Sequence, residues 1–149
     1  MPIFSSDLVV PAPVSDVFEF FIRPANLLKI SPPQMGLKFI DVPPEFEHGV
    51  QFEFAVQTFG IVQKVTHRIT MFNRPDMFVE ELVKGPVPKW IHTHQFVSVS
   101  DTETKLVDRI EFEPPGGIVG MMLTEDRIHD HLDEAFFHRS RQISREFAK

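Results

Sequence analysis

Apolar and polar residues alternate over long parts of the chain, in the pattern of half-buried β-strands. Between 50 and 56, apolar side chains occupy every second position and polar side chains fill most of the gaps. Alternate residues of a strand share one face of a sheet, so such a run has a buried and an exposed side. Further runs with short connections, which favour an antiparallel sheet, cover 3–10, 37–41, 61–72, 77–83, 89–99 and 104–113.

Turn residues separate these runs. A turn is predicted at Gly60, and a second over 73–76, where the sequence reads Asn-Arg-Pro-Asp. Two prolines and two glycines over 114–117 end the last strand. The chain therefore contains seven predicted strands.

Three segments change from strand spacing to helical spacing. After Pro13, which suits the first turn of a helix, the apolar residues of 14–21 fall on one helical face. Residues 25–30 predict one or two further turns between proline breaks. A long helix is predicted from about 120 to 147, with acidic residues early and basic residues late, as the helix dipole favours. Its apolar stripe is Ile128, Leu132, Ala135 with Phe136, Ile143 and Phe147.

The composition limits the class of protein. A length of 149 residues is typical of one domain, and we expect 1–149 to form a single domain. Asp and Glu outnumber Lys and Arg by 21 to 15, which gives a formal charge of −6. Nucleic-acid binding requires a basic face that displaces counterions from phosphates, so we expect no nucleic-acid partner. Nothing in the sequence specifies an oligomeric state.

The sequence also argues against export and membrane insertion. Residues 1–7 lack the basic and apolar regions of a secretory signal. No apolar run approaches the ~20 residues needed to span a bilayer. Cysteine is absent, which excludes disulfides and thiolate metal sites. We therefore expect a cytoplasmic protein without stable membrane insertion.

Phenylalanine dominates the aromatic residues, with 16 Phe, one Trp and no Tyr. Phe has no polar group, so these side chains require apolar surroundings. They predict either a Phe-rich core or the apolar lining of an internal cavity.

Two neighbouring strands carry the candidate chemistry. The face with most of the large apolar residues is predicted to point inward, and it brings Asp108 with it. Asp108 then lies near His92 or His94 if the two strands form a hairpin, and a third inward face adds His67. The two inward sets are Trp90, His92, His94 and Phe96 on one strand, and Leu106, Asp108, Ile110 and Phe112 on the next.

An acid among imidazoles on an apolar face has three interpretations. In the first, Asp108 orients a histidine within a buried polar network. In the second, these groups bind the polar head of a mostly apolar ligand. In the third, His92 or His94 is a general acid or base that Asp108 orients.

A metal site is a further possibility that the sequence supports weakly. The His-x-His pair of His92 and His94 places both imidazoles on one side of a strand, and His67 or Asp108 would add a third ligand. Alternating residues on a strand are a weak metal pattern, so we predict no metal and no cofactor. The nucleophile elbow, the phosphate-binding loop and the dinucleotide fingerprint are absent from the sequence.

Several short motifs, in order and spacing, carry a resemblance that covers nearly the whole chain. With them the chain resembles the START/Bet v 1-like superfamily, which includes polyketide cyclases, dehydrases and coenzyme Q-binding proteins. Phe112 stands where many relatives have Tyr, and Val87 where they have Phe. The motifs are Ala12-Pro13, Val17-Phe18, Asn26-Leu27, Pro32-Pro33, Gly85-Pro86, Trp90, His92, His94, Phe96, Thr104, Leu106, Asp108, Ile110, Pro114, Gly116, Phe136 and Arg139.

The resemblance implies a fold and a cavity, but no particular reaction. We expect an α+β helix-grip fold, with a seven-stranded antiparallel sheet curved around the long C-terminal helix and two short helices after the first strand. A small hydrophobic molecule, such as a polyketide, quinone or lipid, is the expected partner. The predicted ligand-binding residues are Phe52, Phe54, His67, Trp90, His92, His94, Phe96, Asp108, Ile110, Phe112, Ile128 and Leu132.

Three functions follow, in order of preference. The first is binding of a hydrophobic ligand in an internal cavity, without catalysis. The second is an enzyme of the cyclase or dehydratase kind, with His92, His94 and Asp108 as the candidate catalytic residues. The third is a protein-interaction module, which the acidic surface and a filled interior would favour.

Overall fold

The computed structural model describes residues 1–58 and 61–148 and shows an α+β helix-grip fold. Seven strands form one sheet in which every pairing is antiparallel. They are β1 (Ile3–Val10), β2 (Lys38–Asp41), β3 (Gln51–Thr58), β4 (Ile61–Asn73), β5 (Met77–Lys84), β6 (Lys89–Ser100) and β7 (Glu103–Glu113). Their order in the sheet is β1-β7-β6-β5-β4-β3-β2.

The helices lie where the spacing predicted them, with one correction. They are α1 (Val14–Phe21), α2 (Pro24–Ile30), α3 (Gly117–Met122) and α4 (Glu125–Glu146), and a short 3-10 turn covers Pro33–Met35. The two short helices after β1 and the seven strands confirm the predicted order of elements. The predicted turn at Gly60 lies outside the described residues.

The correction concerns the start of the C-terminal helix. The predicted helix from about 120 to 147 is two helices, because the chain leaves helical geometry at Leu123, where φ is −108° and ψ is 68°. The Thr124 hydroxyl then accepts a hydrogen bond from the Arg127 backbone N–H, and so caps a new helix. Acidic residues in the first turn of α4 favour the same start.

The amphipathic helix α4 packs its apolar stripe inward. Ile128, Leu132, Phe136 and Ile143 are its buried residues, and the rest of the helix is mostly polar. Among the helices of residues 1–58 and 61–148, none is both long and apolar enough to cross a membrane.

The buried apolar residues form two clusters. The small core consists of Phe4, Ile110, Phe112, Ile128, Leu132 and Phe136, with Trp90 and Leu123 packed against it. The large core includes Val10, Ala12, Val17, Phe18, Phe21, Ile22, Ile30, Phe46, Phe52, Ile69, Phe78, Phe96, Leu106 and Ile143. Along β6 and β7 the residues between the two cores are polar, and these residues form the candidate site.

Candidate functional site

A row of polar side chains crosses the inner face of four neighbouring strands. Glu80 on β5 pairs in register with His92 on β6, and His94 on β6 pairs with Asp108 on β7. Side chains at paired positions of an antiparallel sheet are close neighbours, so this register brings acids and imidazoles together. We call the whole set the polar cluster: His67, Glu80, His92, His94, Asp108 and Arg139.

The imidazoles of His92 and His94 lie between the two carboxylates. The rings stack with centroids 3.7 Å apart. On one side, Glu80 Oε1 is 2.8 Å from His94 Nε2 and 3.4 Å from His92 Nδ1. On the other side, Asp108 Oδ1 is 2.8 Å from His92 Nε2 and 3.4 Å from His94 Nδ1. Each ring therefore bridges both acids.

One contact in this arrangement is incomplete. His94 Nδ1 is buried and lies 3.4 Å from Asp108 Oδ1, but the direction is not that of a hydrogen bond. Among the described residues this nitrogen has no hydrogen-bond partner. A buried polar atom without a partner costs free energy, so it marks a position where the cluster is not fully satisfied.

Two further side chains extend the row at its ends. His67 Nδ1 lies 3.0 Å from Glu80 Oε2, the carboxylate oxygen that does not face β6. At the other end, Arg139 on α4 donates a hydrogen bond of 3.3 Å to Asp108 Oδ1. The row thus runs from β4 across the sheet to the helix.

Electrostatics keep both carboxylates ionised. Burial by itself would raise the pKa of Glu80, but the imidazoles of His67, His92 and His94 outweigh burial and hold that pKa well below its usual value. At Asp108 burial also acts to raise the pKa. The positive charge of Arg139, together with the nearby imidazoles of His92 and His94, lowers the pKa of Asp108 well below its usual value.

The two carboxylates have the opposite effect on His94, since they raise the pKa of its imidazole. Burial would lower the pKa of this imidazole, because it disfavours the charged form. Its contacts with Asp108 and Glu80 outweigh burial, so the pKa of His94 is raised. His94 therefore keeps its proton to a higher pH than an exposed histidine does.

Aromatic rings surround the polar cluster. Phe78 stacks on His94 with centroids 4.2 Å apart, and Phe54 lies edge-on to His67 at 5.0 Å. The Arg139 guanidinium lies 4.7 Å from the centre of the Phe136 ring, within the range of a cation–π contact. The cluster is thus a polar layer enclosed by apolar groups.

The burial of the strands confirms which faces were predicted to point inward. His92, His94 and Asp108 are buried, whereas Arg109 is exposed and Thr93 is half-buried. Of the twelve predicted ligand-binding residues, ten are buried, and Phe54 and Trp90 are half-buried. Their role in binding a ligand stays a prediction.

The structure brings only some of these twelve residues together. His67, His92, His94 and Asp108 meet in the polar cluster. The other eight divide between the cores: Phe52, Phe54 and Phe96 pack in the large core, and Trp90, Ile110, Phe112, Ile128 and Leu132 pack in the small core. The residues predicted to line one cavity are thus packed protein interior on either side of the polar cluster.

Sequence reasoning missed two members of the cluster, although the sequence contains a signal for each. Glu80 lies two residues after Phe78, so both share one face of β5, and a buried Phe78 indicates that Glu80 faces inward. Arg139 lies between Phe136 and Ile143 at helical spacing, so it continues the buried stripe of α4. In both cases a charged residue occupies an apolar position of the local pattern.

Two open grooves lie elsewhere on the described surface. An open groove of about 360 Å³ on the outer side of α4 is lined by Leu8, Phe137, Ser140, Arg141, Ser144 and Arg145. A second, of about 270 Å³, shares Phe137, Arg141 and Arg145 with it. Neither groove contains a predicted ligand-binding residue.

Comparison with solved structures identifies the class of fold. A conserved protein from Geobacillus kaustophilus matches with a TM-score of 0.74 at 16% identity, covering 99% of this chain and 95% of that protein. A START superfamily protein from Mycobacterium smegmatis matches with a TM-score of 0.70 at 12% identity, covering 97% and 96%. A major latex-like protein from Panax ginseng matches with a TM-score of 0.71 at 10% identity, covering 99% and 98%. The fold is that of the START/Bet v 1-like superfamily.

The sequence itself gives the family. Residues 10–136 match the family described as polyketide cyclase/dehydrase and lipid transport. The match covers all seven strands except most of β1, and it extends into α4 as far as Phe136. The chain belongs to this family, whose description indicates hydrophobic ligands. No curated protein matches the chain.

Proposed function

We propose that the protein binds a small hydrophobic molecule on the inner side of the sheet, with the polar cluster holding the polar group of that molecule. The observation that carries the proposal is the charged cluster buried between two apolar cores. Binding sites for small molecules typically combine apolar walls with a few placed polar groups. Family membership supports the same function, because the family description includes polyketide chemistry and lipid transport.

Among the cluster members on the strands, Glu80 on β5 is the most accessible. The Glu80 side chain is 15% exposed, compared with 6% for His94 and 9% for Asp108. A half-buried apolar residue lies near it, since Phe54 contacts His67, which in turn contacts Glu80. This side of the cluster therefore combines an apolar ring with the Glu80 carboxylate.

The packed cores set a requirement for binding. The small core includes three residues of α4, with the linking residue Leu123 packed against it, and α3 contributes no buried residue. Binding of a drug-sized ligand therefore requires the small core to open. The apolar surface of the ligand then replaces contacts between the side chains of that core. A preformed, empty site is not required for this function.

Trp90 provides a direct test, because it is the only tryptophan and tyrosine is absent. The protein is titrated with a naphthoquinone, a hydroxyanthraquinone and oleate, which represent the quinone, polyketide and lipid classes. At least one probe is expected to shift Trp90 emission and to give saturable binding by calorimetry. Native mass spectrometry of protein from its own host then identifies the molecule that occupies the site.

The polar cluster is tested with a matched pair of variants. Glu80→Gln keeps the shape of the side chain but removes its charge, and Glu81→Gln makes the same change at the next residue, which faces the other side of β5. Loss of a buried polar partner costs about 1–3 kcal/mol, so Glu80→Gln is expected to weaken binding about 5-fold to 150-fold. Equal affinity in both variants, or no binding of any probe to the wild type, would contradict the proposal.

The enzyme alternative draws on the contact between His92 and Asp108, since an oriented imidazole is a typical acid or base. Both nitrogens of His92 already face carboxylates, at 2.8 Å and 3.4 Å. Neither ring nitrogen of His92 is therefore directed at a substrate, which favours binding over catalysis by this residue. Analysis of the products formed when the protein is incubated with the three probes tests this alternative. Turnover of a probe that falls about 100-fold in His92→Asn would favour an enzyme.

The interaction-module alternative expects a filled interior, and the two packed cores agree with that part of it. The titration separates this alternative from the first, because an interaction module has no site for the three probes.

A further inference from the structure

We infer that Glu80, His92 and His94 form a binding site for one divalent transition-metal ion, for which Zn²⁺ is the probe. Their donor atoms all lie within 4.8 Å of one another. Two imidazoles and one carboxylate are a donor set that zinc and non-haem iron use in proteins, with open positions left for other ligands. The inference is independent of the hydrophobic ligand, because the ion requires only these three side chains.

The separations of the donor atoms fit such an ion. Glu80 Oε1 is 3.4 Å from His92 Nδ1 and 2.8 Å from His94 Nε2. In a tetrahedral zinc site with bonds of about 2.0–2.1 Å, donor atoms are about 3.3 Å apart. The separation between Glu80 and His92 already has this value. The separation between Glu80 and His94 reaches it if the two side chains move apart by about 0.5 Å, and the donor nitrogens of His92 and His94 lie within 4.8 Å of each other.

The groups behind the imidazoles are those that metal-binding histidines use. Such a histidine usually donates its second ring N–H to a carboxylate, which fixes the orientation of the ring. With the ion on the Glu80 side, His92 Nε2 donates to Asp108 Oδ1 at 2.8 Å, and His94 Nδ1 faces the same oxygen at 3.4 Å. A metal on Nε2 assigns the proton to His94 Nδ1, the atom without a hydrogen-bond partner among the described residues.

The supporting contacts leave one oxygen of Glu80 for the ion. His67 contacts Oε2 at 3.0 Å, so Oε1 is the oxygen directed at the two imidazoles of β6. Arg139 contacts Asp108, on the far side of those imidazoles, and no ion pair joins it to Glu80 among the described residues. The Arg139 guanidinium and the proposed metal ion are thus on opposite sides of the stacked rings of His92 and His94.

The sequence alone argued against a metal, because His-x-His on a strand is a weak pattern. The structure adds what the sequence did not show: a carboxylate from the neighbouring strand at the level of both imidazoles, and a second carboxylate behind them.

The test uses purified, chelator-treated protein and Zn²⁺ alone. Elemental analysis after gel filtration is expected to give one zinc per chain, and calorimetry gives the affinity. Co²⁺ in place of Zn²⁺ is expected to show the visible absorption of a tetrahedral site. Glu80→Gln should weaken Zn²⁺ binding by more than about 100-fold, whereas Asp108→Asn should weaken it about 10-fold to 100-fold, as loss of a supporting partner does.

Two control variants have no role in the proposed site. His48→Gln removes an exposed imidazole, and Glu81→Gln removes a carboxylate from the opposite face of β5. Both should bind Zn²⁺ as the wild type does. Absence of stoichiometric zinc in the wild type, or unchanged affinity in Glu80→Gln, would overturn the inference. Should Glu80→Gln fail to fold, the wild-type stoichiometry and the Co²⁺ spectrum decide, and weak octahedral bands would count against the site.

Discussion

The guanidinium of Arg139 on α4 lies 3.3 Å from Asp108 Oδ1 on β7 and connects the helix to the inner face of the sheet. Only 13% of the arginine side chain and 9% of the aspartate side chain are exposed. Removal of one partner from a buried ion pair leaves the other charge without compensation, which costs more than the pair itself contributes. This contact therefore predicts a large effect of substitution.

Arg139→Met is expected to lower the free energy of unfolding by about 3 kcal/mol, because Asp108 then remains buried without its cation. Urea unfolding followed by Trp90 fluorescence measures the change. The double variant Arg139→Met/Asp108→Asn should recover part of the loss, since it removes the orphaned charge. Arg109→Met is the control, because Arg109 forms an exposed pair with Glu111, and its cost should stay below about 1 kcal/mol. A similar cost for Arg109→Met and Arg139→Met would contradict the argument.

Thr104 fixes the segment between β1 and α1. Its side chain is fully buried, and its hydroxyl donates a hydrogen bond of 2.8 Å to the Ala12 carbonyl, 92 residues away in sequence. Thr104→Val keeps the shape but leaves that carbonyl unpaired, so the free energy of unfolding should fall by about 1–3 kcal/mol. Thr102→Val, in the exposed turn before β7, should change it by less than about 0.5 kcal/mol. Thermal unfolding of the two variants compares them, and equal midpoints would refute this role.

Phe78 joins the polar cluster to the large core. It stacks on His94 at 4.2 Å, lies 6.1 Å from Phe18 between ring centres, and is 1% exposed. Phe78→Ala should destabilise the protein by about 3–5 kcal/mol, as removal of a buried Phe does. The matched change at Phe137, which is 66% exposed, should cost less than about 0.5 kcal/mol. Chemical denaturation measures both; a loss below about 1 kcal/mol for Phe78→Ala would show that the ring is not packed as described.

Gly120 is required in α3 for a steric reason. A Cβ atom at this position would collide with the carbonyl oxygen of Pro115, whereas a Cβ at Gly116 meets open space. Alanine normally stabilises a helix by about 1 kcal/mol relative to glycine. Gly120→Ala is nevertheless expected to destabilise the protein by about 1–3 kcal/mol and to speed amide hydrogen exchange in α3. Gly116→Ala should leave that exchange unchanged, and slower exchange in Gly120→Ala would contradict this account.

Local sequence patterns were enough to orient the inner face of the sheet. His92, His94 and Asp108 were placed inward because they share their faces with Phe96 and Ile110, and the buried positions confirm this. Burial of one face forces a strand to keep its phase, since a shift of one residue would expose every apolar side chain on it. The pairing of an imidazole with Asp108 followed from the hairpin that joins β6 and β7.

Other features depended on contacts that no local pattern contains. Glu80 meets His92 only because β5 pairs with β6 in one particular register, and Arg139 reaches Asp108 only because α4 packs across the sheet. The break between α3 and α4 at Leu123 also escaped prediction. Its Thr124 cap, followed by two acidic residues, is a local signal for a helix start, whereas the packing of Leu123 against the small core is a long-range contact.

The sequence by itself determined the seven strands, the amphipathic C-terminal helix and the inward sides of β6 and β7, because periods of 2 and 3.6 residues are properties of short segments. The tertiary structure alone decided which charged groups meet. Distances between Glu80, the two imidazoles of β6, Asp108 and Arg139 depend on strand register and helix packing over separations of up to 59 residues. The same long-range packing divided the predicted cavity lining into two cores, with the polar cluster between them.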